Sequence, residues 1–314
     1  WSDYFRKEYK ESKKPKADKT DLPEISFKTP NQFKQFLVFL KRDILKKLSD
    51  IQYLTINFLE APILALGLAF IVKYYDVNVT NQFNYNLLEN SNLPVYIFMS
   101  VIVAIFMGLS VSAEEIIKDR KILKREAFLN LSWSGYLFSK VAVQFMLSAI
   151  QAATFVLIGN SIMEIKGMYF EYWLVLFSSW AAANVMGLLI SDSFKTVVTI
   201  YILIPFLVIP QIILSGIIVK FENLNPTISA PDRIPIYGEI ITARWAYEAL
   251  ATYQFTNNAY QENFYLAEKK KSVSEFYSNY LLKNLQNKLN AVESNYTNPE
   301  QEEMVRQHLQ LIQS

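Results

Sequence analysis

The chain has 314 residues, 52% of them hydrophobic and 15% aromatic but only 19% charged, which is too apolar for an ordinary water-soluble domain and makes a membrane the first environment to consider. Its net charge of +2 gives no basic field of the kind nucleic-acid binders carry. With no cysteine and one histidine, His308, the sequence has no material for disulfides, thiolate or histidine-cluster metal sites, or thiol catalysis.

Residues 1–30 are polar, with Lys13, Lys14, Lys16 and Lys19 around Pro15, and read as a flexible cytosolic linker. They begin at Trp1 without the cationic start, short apolar core and cleavage site of a signal peptide, so the sequence reads as a piece of a longer chain. In "NQFKQFLVFLKRDILKKLSD" (31–50), Phe33, Leu37, Leu40, Ile44 and Leu48 recur at helical spacing opposite Gln35, Arg42 and Lys46. That pattern predicts an amphipathic helix on the inner membrane surface. Val38 and Phe39 interrupt its polar face, so it is expected to touch protein as well.

Five apolar runs follow, at 51–74, 93–113, 136–159, 168–190 and 197–219. Each is long enough to cross ~30 Å of hydrocarbon, which takes roughly 20 helical residues. A buried core helix could explain one such run, but five would need a far larger soluble domain to cover them. The fold class expected is therefore all-α, a polytopic membrane bundle. Orientation follows from the cations, because Lys and Arg in short loops stay on the cytoplasmic side. Lys41, Arg42, Lys46 and Lys47 precede the first span, the loop 76–92 has no Lys or Arg, and the next loop carries Lys118, Arg120, Lys121, Lys124 and Arg125. The amino terminus and that charged loop are thus expected in the cytoplasm, and residues 220–314 outside it. The Asn- and Lys-rich composition suits a bacterial inner membrane.

Two features stand out inside the spans. Glu60 lies about ten residues into the first span, near mid-depth at ~1.5 Å per residue. A charge there is costly, so the carboxyl either faces a pathway or helix contact, or is a neutral acid bonded to Asn57 or another helix. The fifth span carries Pro205 and Pro210, which free carbonyls and bend a helix. Lys140 and Glu171, near span ends, can snorkel and need no function. In the tail, 234–255 is aromatic-rich but holds Glu239, Arg244 and Glu248, too many charges for a free span, and suits an interfacial or re-entrant helix. Residues 262–314 read as an outer helical domain with Leu281, Leu282, Leu285 and Leu289 on one side. Asn298, Pro299 and Gln301 there form a helix-start signal.

The order of parts resembles the membrane half of a type-2 ABC exporter of the G subfamily. "GLSVSAEEIIKDRKILKREAFLNLSWSGYLFSK" (108–140) is similar to that family's run from its second span through an "E…RE" inner helix into "SYxxxK". "IPQIILSGIIVKFENL" (209–224) and "RWAYEALATYQF" (244–255) resemble the end of its fifth span and the outer segment beyond. The resemblance implies six spans where five are seen, a dimer with a second membrane half, and an ATP-binding domain fused upstream or separate. ATP and Mg would sit on that domain, since no G-x-x-x-x-G-K-[ST] occurs in this sequence.

It further implies that the inner helix, expected over 114–128, couples to the ATP-binding domain through Glu115, Asp119, Arg120, Arg125 and Glu126, the alternative being that these charges merely enforce the positive-inside topology. Its apolar residues Ile116, Ile117, Ile122 and Leu123 would pack on the surface helix, leaving the charges for the partner. Phe106 and Met107 fall near the family's aromatic substrate contact, with core packing as the alternative for Met107. Ile213 and Leu214 fall where the family closes its outer gate.

The function so implied is outward transport of a lipidic or amphipathic substrate by an ATP-driven permease. No catalytic set is visible in this chain, since a Ser-His-Asp arrangement would need His308 in a solvated tail. The alternatives are an integral-membrane lipid-modifying enzyme, or a receptor or scaffold using the outer helical domain.

Overall fold

The computed structural model describes residues 30–73, 90–126, 131–225, 234–258 and 261–295, together with residues 3, 4, 87, 227, 306, 307, 309 and 310. Its ordered elements are helical: α1 (Gln32–Ser49), α2 (Ile51–Val72), α3 (Asn92–Ser112), α4 (Glu115–Glu126), α5 (Trp133–Ile162), α6 (Tyr169–Ser193), α7 (Val197–Ile213), α8 (Ile236–Ile240), α9 (Thr242–Asn257), α10 (Tyr265–Glu275) and α11 (Leu282–Asn295).

Helices α2, α3, α5 and α6 are long and apolar enough to cross a membrane. The fifth apolar run is only partly helical. Its helix, α7, has 17 residues and ends at Ile213, about 25 Å at 1.5 Å per residue. The run was expected to continue to residue 219, but Leu214 leaves helical geometry and Gly216 takes φ +77°, a left-handed conformation that glycine adopts without a Cβ clash. Pro205 and Pro210 lie inside the helix and remove two backbone donors.

At the centre of the bundle is α3, packed against α2, α6, α7 and α9. Its crossing with α6 is close because glycines line it. A Cβ on Gly108 would lie 2.7 Å from the Trp180 carbonyl oxygen, and one on Gly187 would meet the Ser112 hydroxyl. Small residues at such a crossing let the backbones approach, which in lipid replaces the missing hydrophobic drive. On α2, Asn57, Ala61, Ala65 and Ala69 recur every four residues as a buried stripe, and the helix packs on α3 and α5. In α1 the buried residues are Phe39, Asp43 and Lys47, also four apart, and they lie against α5. Phe33, Leu37 and Leu48 of the expected apolar stripe stay exposed, so α1 has an apolar outer face and a partly ionic inner one. Phe39 makes the protein contact anticipated for it, whereas Val38 is exposed.

The tail segment 234–255 is divided at Ile241, where extended backbone separates α8 from α9. Its charges largely satisfy one another: Arg244 pairs with both Glu239 and Glu248. A side-chain oxygen of Gln211 on α7 accepts from the Ala243 N–H at 3.0 Å, in the first turn of α9. Beyond it, α10 passes through a π-helical segment, Phe276–Leu281, into α11. Among the described residues of α10–α11 only Val292 is buried. Leu281 and Leu285 are half-buried, while Leu282 and Leu289 are exposed. The helix start expected at Asn298, most of the linker 1–30 and most of the loop 76–92 lie outside the described residues.

Candidate functional site

The charged helix α4 leaves α3 across only Ala113 and Glu114. Glu115 and Asp119, one turn apart, project from it toward α1 and the start of α5. Lys140 meets them there, one turn beyond Tyr136 on α5. Its side chain is 2% exposed, and its ammonium lies 2.5 Å from Asp43 Oδ1, 2.8 Å from Asp119 Oδ2 and 3.2 Å from Glu115 Oε2. Lys47 pairs with the other oxygen of Glu115 and donates to the Tyr53 hydroxyl at 2.8 Å. Lys46 reaches Asp119 Oδ1 at 2.7 Å, and the Tyr136 hydroxyl donates to Asp119 Oδ2 at 3.2 Å. Three ammonium groups thus face three carboxylates drawn from α1, α4 and α5. Burial raises the Glu115 carboxyl, but Lys47 and Lys140 more than offset it and hold the group below its ordinary value. Asp119 is likewise held low, by Lys140 and Lys46 acting against its burial.

A second clamp joins α4 to α6. Ser191 Oγ accepts from the backbone N–H groups of Ile116 at 3.0 Å and Ile117 at 3.1 Å, capping the first turn of α4 from another helix. In return, the Arg120 guanidinium donates to the carbonyls of Ser191 and Asp192 at the end of α6. At the far end of α4, Arg42 bridges both oxygens of Glu126 at 2.9 and 3.0 Å in a partly exposed pair. Between these clamps opens a cleft of about 710 Å³, with Phe39, Ile116, Leu123, Trp133 and Tyr136 on its walls and Lys124 and Lys195 among its charged lining.

These contacts change the expectation for α4. Glu115, Asp119 and Glu126 are not left for a partner, because α1 and α5 supply their cations. The reason is burial: Glu115 and Asp119 lie where water cannot solvate them, so they need ammonium groups at hydrogen-bond distance. Arg120 is used by α6, and Arg125 is exposed and donates to the Lys121 carbonyl. Ile116 is buried and Ile117 packs on the core, but Ile122 and Leu123 line clefts instead of packing tightly on α1. Lys140, set aside as a snorkelling residue, is instead the most buried cation of the cluster. A signal existed in the sequence: Lys140, Gln144, Ser148 and Gln151 fall on one face of α5, an inward polar stripe that a lipid-facing helix would not carry.

The candidate pathway residues are not brought together. Glu60 is half-buried on α2, and among the described residues no hydrogen bond or ion pair reaches it; Asn57 donates instead to the Tyr53 carbonyl. Phe106 on α3 is exposed, while Met107 is fully buried in the core. Ile213 is exposed and Leu214 packs against the core. Since α2 packs on α3 and α5 but α7 packs on α3 and α9, Glu60 and the Ile213–Leu214 pair flank α3 separately.

The arrangement of an amphipathic helix, span-length helices and a clamped charged helix extends over one continuous part of the sequence, and residues 34–255 match the ABC-2 type transporter family. The chain belongs to that family. It is therefore an integral membrane protein, the permease domain of an ABC transporter. A curated relative, the ABC transporter ATP-binding/permease protein Rv1747 of Mycobacterium tuberculosis, is 26% identical over 158 residues, 47% of this chain. The aligned part spans 17% of that protein's length.

Proposed function

We propose that this ABC-2 membrane domain is the permease half of an ATP-driven exporter of the G-subfamily kind, with α1 and α4 on the cytoplasmic side. The observation that carries the reading is the two-sided character of α4. One side is fixed to α1, α5 and α6 by buried charge and backbone capping, and the exposed side offers Lys121, Lys124 and Arg125. An acidic surface of an ATP-binding domain fits that basic side, and an apolar side chain from it fits the cleft beside Trp133. ATP and Mg would be held on that domain, fused to the permease, as the name of the mycobacterial ATP-binding/permease relative suggests for that protein, or carried by a separate subunit. A second membrane half, identical or not, would complete the pathway. The cargo is lipidic or amphipathic, in keeping with apolar walls, and moves outward.

The test is reconstitution of the full-length transporter into liposomes. ATP added at the α4 side should drive a fluorescent amphiphile to the opposite side, and an absence of ATP-dependent movement across a panel of lipids and amphiphiles overturns the exporter reading. Orientation has its own test in this cysteine-free chain. Single cysteines replacing Asn84 and Ser274 should react with an impermeant thiol reagent on intact cells, while one at Lys121 should not; the reverse pattern inverts the topology.

A further inference from the structure

We infer that Lys140 is a positioning residue that makes α5 follow α4, so that a displacement delivered to the charged helix is carried across the membrane by the longest helix of the bundle. The inference rests on the coupling reading above and adds a route to it. Lys140 contacts carboxylates on two elements besides its own, Asp43 on α1 and Glu115 and Asp119 on α4. Because it is 2% exposed, its ammonium has no water to replace them. Sliding α4 past α5 by a few ångströms would separate buried opposite charges, so the two helices are tied far more firmly than by apolar contact, which slides at little cost.

From Lys140 the connection continues along α5, which has 30 residues and so a length of about 45 Å. Its buried polar face grips the neighbouring helices in order. Asn184 on α6 donates to Ser148, and Gln151 donates to the Asn57 carbonyl on α2 at 3.0 Å. Near the far end, the Tyr96 hydroxyl of α3 donates to Asn160 at 3.1 Å, seated over Gly159, where a Cβ would collide with it. A rotation or shift imposed at Lys140 therefore reaches α3 at the opposite end through directional contacts, while the clamp of Ser191 and Arg120 acts on α6.

The test uses the complete transporter in a cysteine-free background, with a single cysteine at Lys121 on α4 or at Ser161 near the far end of α5. Thiol-labelling rates are compared between the nucleotide-free and the ATP-plus-vanadate-trapped states. In the parent, both positions should change rate, at least threefold. In Lys140→Met/Asp43→Asn, which removes one charge of each sign, the Lys121 position should still respond and the Ser161 position should not. Lys140→Arg, which keeps the cation, should restore part of the Ser161 response. Asp119→Asn, which leaves Lys140 two carboxylates, provides a milder second variant should the double change impair folding, and should roughly halve it. A Ser161 response that survives the double variant, or the milder one undiminished, overturns the inference alone. So does a parent in which Lys121 responds and Ser161 does not. A parent in which Lys121 itself is insensitive to nucleotide overturns the coupling reading and the inference with it.

Discussion

The two ends of the bundle hold antiparallel helices together with different chemistry. At the α1–α4 end, Lys140, Asp43, Glu115 and Asp119 are all nearly cut off from water and pair across three helices. At the opposite end the ion pairs keep their carboxylates in solvent: Glu164 beside Lys73, and Glu239 and Glu248 around Arg244. There the helices are joined by neutral hydrogen bonds, Tyr96 to Asn160 and Tyr172 to Gln254. The difference lies in what happens when a partner is lost. A solvent-facing carboxylate recovers water, whereas a buried one is left as an uncompensated charge. One end is thus a strained-if-broken ionic node, the other a set of independent contacts.

The largest expected effect tests that contrast directly. Lys140→Met strands Asp43 and takes one of two lysine partners from each of Glu115 and Asp119, and breaking a buried ionic group in this way costs about 3–5 kcal/mol. Arg244→Met removes a cation that is also buried, but its two carboxylates are exposed, and the loss should be near the ~1 kcal/mol of surface pairs. Thermal unfolding of both variants in lipid nanodiscs, with the full-length protein, measures the difference. Equal losses would show that the two ends do not differ in the way their burial implies. Next in size is Ser191→Ala, which leaves the amides of Ile116 and Ile117 without their acceptor; losing a helix cap costs about 1 kcal/mol. Those two amides should exchange with deuterium faster, while the amides of α9, capped separately by Gln211, should be unchanged.

Helix type and order were legible in the sequence because apolar length and amphipathic period are properties of single segments. Four span-length helices appear close to the expected bounds, and the amphipathic α1 and charged α4 do as well. The fifth run was misjudged in extent because hydropathy does not register the left-handed turn at Gly216. The ionic node was only half visible. Two of its carboxylates, Glu115 and Asp119, were picked out as charged residues of one helix and Asp43 was missed, while the lysines that meet Glu115 and Asp119 lie 68 to 73 residues upstream on α1, at Lys46 and Lys47, or, for Glu115, 25 residues on, at Lys140. Pairing at such separations is set by how helices pack, and a lysine near a span end looks the same on paper whether it snorkels outward or is clamped inward. Glu60 stood out for its depth, but its surroundings depend on which face of α2 meets α5, and that is fixed by the Ala61–Ala65–Ala69 stripe.

The smallest expected effect on stability is also the one that separates holding from coupling. Glu126 pairs with Arg42 at the free end of α4, and both side chains are partly in water. An exposed pair is worth about 0–1 kcal/mol, even as a bidentate contact, because solvent screens it and competes for both groups. Glu126→Arg also sets two guanidinium groups near one another, a repulsion that exposed side chains relieve by swinging apart. Insertion and thermal unfolding should therefore stay close to the parent's. The consequence for α4 is different: its last turn loses its tie to α1 and gains a positive charge beside Lys124 and Arg125, in the region proposed to meet the ATP-binding domain. ATP hydrolysis should persist but lose its stimulation by substrate, and transport in the liposome assay should fall at least tenfold. Sign reversal at Lys13 should leave both activities intact. If Glu126→Arg instead retains full stimulated hydrolysis and full transport, the free end of α4 serves only to hold α1, and the distinction between the two ends of the bundle is one of stability alone.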